Sequence, residues 1–317
     1  MELTAENTLK VFQKYFKRAL LMLTMIFAVN IAFAGCDMCN LYLGLHPNQT
    51  KNSISLRYRF SIYESTKAHV HSGTSHSSIT GTEWRTFQTM EVWNQWKIGR
   101  KIQLMFLIPY SMNSIENKGL VLDSYNHLGD IQGIVRYQLY RSDAEKHSYI
   151  HRIVIGAGIK APTGLSSSLS NEGNLDPHIQ TGTGSWDFLS NFGYLLKYKQ
   201  WGVNQEVLFK INGVNKQSYQ FANRFSSTTT IYYSIEKKDI SVIPSIGTSV
   251  EYANQDKDHG VNQSTTNGKA VYLIPGIDIY YKKLNWNISY QKPIIENLRD
   301  VSMKNDYRWL VGMGLAF

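Results

Sequence analysis

Residues 53–63, SISLRYRFSIY, alternate apolar and polar side chains one for one. A strand sends successive side chains to opposite faces. Ile54, Leu56, Tyr58, Phe60 and Ile62 therefore share one face, and Ser55, Arg57, Arg59 and Ser61 the other. Runs of this kind, rich in Tyr, Ile, Val and Phe and bounded by turn residues, recur along the chain. They lie near 52–64, 81–97, 101–114, 127–142, 147–162, 179–199, 201–213, 219–236, 239–254, 269–282, 285–296 and 305–317. None has the 3.6-residue period of an amphipathic helix. The chain reads as all-β, with about twelve strands.

The connections alternate in length. STKAHVHSGTSHSSIT, SIENKGLVLDSYN, GLSSSLSNEGNLDP and NQDKDHGVNQSTTNG are long; IGRK, RSDAEK, KQWG, KKD and KKLN are short. A soluble sandwich gives no reason to sort loops by parity. Outer-membrane barrels do, with tight periplasmic turns, longer extracellular loops and an even strand count. Most runs span about 12–18 residues. That exceeds the ~5–6 of ordinary strands and suits a tilted membrane span of ~9–11. The last run, DYRWLVGMGLAF, puts Tyr307, Trp309, Val311, Met313, Leu315 and Phe317 on one face. The expected fold is a transmembrane antiparallel β-barrel, residues 52–317, with its apolar faces turned out to lipid.

The N-terminus carries the apolar run ALLMLTMIFAVNIAFA at 19–34, preceded by Lys10, Lys14, Lys17 and Arg18 and ending Ala32-Phe33-Ala34. This reads as a signal peptide, 1–34, cleaved near Ala34; the competing reading is an N-terminal membrane anchor. Residues 35–51 then form a periplasmic segment before the barrel, and the location is a Gram-negative outer membrane. The chain carries a formal charge of +9. Four of its positive groups flank the apolar run, no block of five like charges exists, and export speaks against nucleic-acid binding.

The middle of the chain holds HLGDIQGIVRYQL (127–139), GAGIKAPTG (156–164), IQTGTGSWD (179–187) and YLLKYKQWG (194–202) in that order. Over roughly 100–317 it resembles the meta-pathway of phenol degradation family of bacterial outer-membrane transporters. The motif residues are Pro162, Thr163 and Gly164, then Gln180, Gly182, Gly184, Ser185 and Asp187. The resemblance implies an outer-membrane barrel with a transport role and supplies no substrate. Gly182 and Gly184 permit close approach or positive φ at a barrel rim, and Asp187 can accept bonds from neighbouring backbone amides. The motif reads first as loop architecture.

Other constellations are weaker. Cys36 and Cys39 are the only cysteines, followed by His46. A Cys-x-x-Cys pair after export forms a disulfide or holds a soft metal such as copper(I), with His46 as a third ligand; lipidation of Cys36 is a further reading. His69, His71 and His76 form a possible divalent-metal cluster in the first long loop, but serine- and glycine-rich loops often carry unliganded histidines. No Gly-x-Ser-x-Gly elbow or nucleophile trio stands out, so no enzyme is expected. The faces opposite the apolar ones carry Arg57, Arg59, Arg136, Arg152, Lys160, Lys197, Lys210 and Arg308, against Asp130 and Glu206. They define a polar, net-basic lumen passing a small solute. The alternatives are a barrel closed by internal salt bridges and a non-conducting barrel that binds metal or a periplasmic partner through Cys36 and Cys39.

Overall fold

The computed structural model describes residues 52–65, 82–142, 148–166, 169–170, 173–174, 177–264, 266–298 and 303–317. Twelve antiparallel staves make up the barrel. They are β1 (Ser53–Ser65), β2 (Glu83–Ile98), β3 (Ile102–Asn117), β4 (Leu120–Leu128, then Gln132–Arg141), β5 (Tyr149–Lys160) and β6 (Asp187–Tyr198). They continue with β7 (Trp201–Asn212), β8 (Arg224–Tyr233, extended by Ile235–Lys237), β9 (Ile240–Ala253), β10 (Gly268–Tyr281), β11 (Leu284–Leu298) and β12 (Met303–Ala316). Each stave pairs with its neighbour in chain order. The sheet closes where β12 meets β1, with Ser53 opposite Ala316 and Ser65 opposite Met303.

One end of the barrel carries tight turns, including Lys199-Gln200, Lys238-Asp239 and Lys282-Lys283. The first lysine of each lies at positive φ, 53°, 52° and 55°. Ser53 and Ala316 lie at this end, and its short turns make it the periplasmic one by the usual barrel rule. Aromatic pairs ring it: Trp96 with Phe317 at 5.5 Å, Tyr149 with Tyr198 at 4.6 Å, and Trp201 with Tyr233 at 4.9 Å.

The polarity of the wall is inverted relative to a soluble protein. Buried polar and charged residues number 37, against 20 buried hydrophobic ones, among the described residues. On β1, Arg57 and Arg59 are buried at 3% and 6% exposure, while Ile54 and Leu56 are 44% and 54% exposed. A one-residue slip would exchange these two faces. The apolar surface is stable only in hydrocarbon.

The structure departs from the sequence reading in four places. The connection SIENKGLVLDSYN is not a loop: β3 and β4 continue as a hairpin to a turn at Lys118-Gly119, with φ of 47° and 80°. Those two positive values are what a two-residue hairpin turn needs. The expected run 179–199 becomes a strand only at Asp187, and the expected run 219–236 only at Arg224. β4 is also interrupted at 129–131, where Gly129 N donates to Pro109 O at 2.8 Å.

Ile155 lies midway along β5 and faces out, 43% exposed. Ile155→Arg should lower the unfolding free energy in lipid vesicles by about 2–4 kcal/mol, as for a cation on the lipid face near the midplane. Denaturant titration of the vesicle-inserted barrel measures it.

Candidate functional site: the barrel interior and its inward segment

The break in β4 exists to aim Asp130 into the barrel. Its Oδ1 accepts from Gly164 N at 2.9 Å, and its Oδ2 accepts from Thr183 N at 2.9 Å and Thr183 Oγ1 at 3.0 Å. Lys160, the last residue of β5, contacts both Asp130 and Thr183 and lies 2.8 Å from Asp187 Oδ2. Asp187 Oδ1 accepts from Ser185 Oγ at 2.8 Å and Gly213 N at 3.1 Å. Thr163 Oγ1 donates to Gly129 O and accepts from Ile131 N, both at 2.9 Å. One buried lysine between two carboxylates thus ties together β4, β5, β6 and both halves of the motif.

The glycines make the junction tight enough to form. A Cβ on Gly182 would sit 2.5 Å from Gly164 C, and one on Gly164 would sit 2.7 Å from Gly182 Cα. Only two bare backbones can cross this closely. Gly184 lies at φ 72°. Residues 177–180, leading into the second half of the motif, turn inward. Pro177–Ile179 forms a short 3-10 turn, Ile179 is fully buried against Ile115, and Asn113 Nδ2 donates to Ile179 O at 2.9 Å. His178 Nε2 lies 2.9 Å from Asp256, which also accepts from Tyr219 OH at 2.5 Å. Gln180 faces the interior cavity.

Elsewhere the inward charges are paired. Glu91 Oε2 accepts from Arg57 at 2.7 Å, and Glu91 Oε1 is 3.0 Å from Arg59. The Arg57 guanidinium also covers Trp93 at 4.2 Å. Arg136 meets Glu206 at 3.0 Å, and Asn191 donates to the same carboxylate at 3.0 Å. Arg308 meets Glu251 at 3.0 Å, donates to Tyr63 OH at 2.9 Å and stacks on Tyr272. Lys210 lies 3.5 Å from Asp187. Arg152 is half-buried on β5, and Lys197 sits 3.8 Å from Glu236 near the periplasmic end.

Two features of the interior escaped the sequence reading. Glu83, Glu91, Asp187, Glu251 and Asp256 were not counted among its acids; buried cations number eight and buried carboxylates six among the described residues. Glu91 shares its parity with Trp93 and Thr89 on an alternating run, so the signal was present. The interior is also not uniformly polar. Ile134 and Leu208, which break the alternation of their strands, join Trp93, Met105, Leu107 and Leu189 in an apolar patch on the inner wall. A cavity of about 70 Å³ remains beside the inward segment.

Cys36, Cys39, His46, His69, His71, His76 and the N-terminal signal lie outside the described residues. Among the described residues no group of three metal-ligating side chains occurs.

A closed twelve-stave sheet, polar within and apolar without, defines an outer-membrane β-barrel. The family described as "Putative MetA-pathway of phenol degradation" matches residues 62–302, and the chain belongs to it. The match begins upstream of residue 100, where the visible resemblance started, and contains the whole motif. Among solved structures, the barrel is similar to the COG4313 outer membrane channel from Pseudomonas putida F1. The TM-score is 0.61 at 14% identity, over 86% of this chain and 100% of that one. It is similar at lower scores to the beta domain of the Bordetella autotransporter BrkA (0.47; 12% identity; 84% of this chain and 100% of that one). The NanC porin gives 0.40 at 12% identity, over 83% of this chain and 100% of the porin. Comparison with curated proteins gives no match.

Lys160→Met would leave Asp130 and Asp187 buried with their central cation removed. It should cost about 3–5 kcal/mol of unfolding free energy, as for breaking a buried ion pair from one side. Lys160→Met combined with Asp187→Asn should recover part of that loss in the same denaturant titration.

Proposed function

We propose that this barrel is a narrow, non-enzymatic channel that lets a small polar solute diffuse across the outer membrane. The observation that carries this reading is the polar interior of a closed barrel, with a short segment, 177–183, lining the cavity inside it. Burying an ion is costly even when it is paired, and apolar side chains would fill a closed lumen at less cost. A solute that leaves bulk water needs such groups to replace its hydration. The slight excess of cations over carboxylates favours anionic solutes.

Membership in this family and the likeness to a barrel whose printed name is an outer membrane channel both support the reading. Export through the signal at 1–34 delivers the chain to the periplasm, and outer-membrane lipid covers the apolar belt. No bond is made or broken, and the solute passes down its own gradient. The mouth lies at the long-loop end, where the anchored motif segment sets the width.

Planar-bilayer recordings test this. Refolded protein should give discrete conductance steps, and replacing 177–180 by a glycine-serine tetrapeptide should enlarge them. Folded barrel that passes neither current nor solute in both forms would overturn the channel reading.

A further inference from the structure

The tight turns of the periplasmic end carry more charge than a turn needs. Lys199, Lys238 and Lys282 each hold the first turn position at positive φ. Glycine and asparagine enter this region at less cost than lysine, so turn geometry gives no reason for a lysine there three times over. Arg100 with Lys101, Lys199, Lys237 with Lys238, and Lys282 with Lys283 follow one another around four of these turns, all exposed.

Where these charges sit decides what they meet. Lys101 Nζ lies 5.8 Å from the centre of the Tyr137 ring, Lys199 Nζ 5.3 Å from that of Tyr198, and Lys282 Nζ 5.4 Å from that of Tyr281. These are cation–π distances. Each tyrosine is exposed and lies on the outward face of its stave, in line with Val135, Phe192 and Ile277 respectively. The three lysines therefore bend over the outside of the wall and not over the mouth of the barrel. They stand at the edge of the apolar belt, at the same end as the pairs Trp96–Phe317 and Trp201–Tyr233. Aromatic girdles of this kind mark the level at which hydrocarbon gives way to headgroups.

We propose that this rim is a docking collar for anionic phospholipid in the periplasm-facing leaflet. A headgroup phosphate receives charge-assisted hydrogen bonds from the lysine ammonium groups, while the lysine stems lie along the belt. The carboxylates at this end, among the described residues, are few. Glu236 lies 3.8 Å from Lys197, Asp239 shares its turn with Lys238, and Asp278 lies on the inner face of β10 with Tyr272 and Ile274. With both exposed carboxylates, Glu236 and Asp239, counted, the outer side of the rim stays net positive. A zwitterionic headgroup brings its own cation to this surface; an anionic one does not. The collar is independent of whether the barrel conducts.

Barrel reconstituted in phosphatidylcholine vesicles, with brominated phosphatidylglycerol or brominated phosphatidylcholine added in turn, tests the collar through quenching of tryptophan fluorescence. Trp96 and Trp201 lie at this rim and report the lipid beside it. Phosphatidylglycerol should quench at the lower mole fraction, and its advantage should shrink in about 1 M salt, where charges are screened beyond ~3 Å. Lys199→Gly, Lys238→Gly and Lys282→Gly together remove three charges and leave positive φ accessible. This variant should lose at least about fivefold of the preference, the worth of roughly one cation beside an anionic surface. The three corresponding arginine substitutions should keep it. Lys101→Gln, Lys237→Gln and Lys283→Gln, at positions without positive φ, should weaken it in the same way and serve if the glycine variant does not refold. Equal quenching by the two lipids in the unaltered barrel, or an unchanged preference in either folded variant, overturns the collar. Anion conductance that falls in the variants while the lipid preference stays would assign these cations to solute steering and overturns it as well.

Discussion

Hydrocarbon offers no hydrogen bonds to a backbone amide, so a strand in a membrane must be paired on both sides. The pairing of β12 with β1 meets that demand and removes the last two edges. Everything else about the protein follows from closure in this solvent. The outward face becomes the apolar one, as Ile54 and Leu56 show, and the side chains a soluble protein would give to water are enclosed. The charges of the sequence then have nowhere to go but inside.

An enclosed charge must find a partner, and in this barrel the partners hold the architecture together. Glu91 serves two arginines, and Lys160 stands between two aspartates. The second of these clusters is where the family motif acts. Asp130 accepts from the amides of Gly164 and Thr183, Asp187 from the hydroxyl of Ser185 and the amide of Gly213, and the crossing of Gly164 with Gly182 brings the motif's two halves into contact. The motif residues work as architecture that places 177–183 within the barrel, close to the cations of β7 and β8.

The twelve staves were legible because a period of two needs only neighbouring residues to be seen. The interior faces were legible for the same reason: Arg57, Arg136, Lys160 and Arg308 all lie on the faces that alternation assigns them. Three things were not. The hairpin around Lys118-Gly119 was hidden by polar residues that look like a loop yet pair across a tight turn. Residues 179–186 look like the start of a strand, but their amides and hydroxyls are drawn to Asp130 and its neighbours instead of to a ladder. Ile134 and Leu208 looked like defects in the pattern, and are the residues that meet Trp93 and Met105 across the inner wall.

The sequence by itself determined the strand number and the face on which Arg57, Arg59, Arg136 and Arg308 sit, because alternation and run length are local properties. Tertiary structure alone decided which charges meet. Lys160 touches Asp130, 30 residues away on the neighbouring stave, and Arg308 reaches Tyr63 across 245 residues, a contact that exists only after the sheet has closed. The inward course of the motif also depends on contacts between residues far apart in the chain, such as Asn113 with Ile179. Closure brings distant strands to a common radius, and a period of two carries no information about what lies across the barrel.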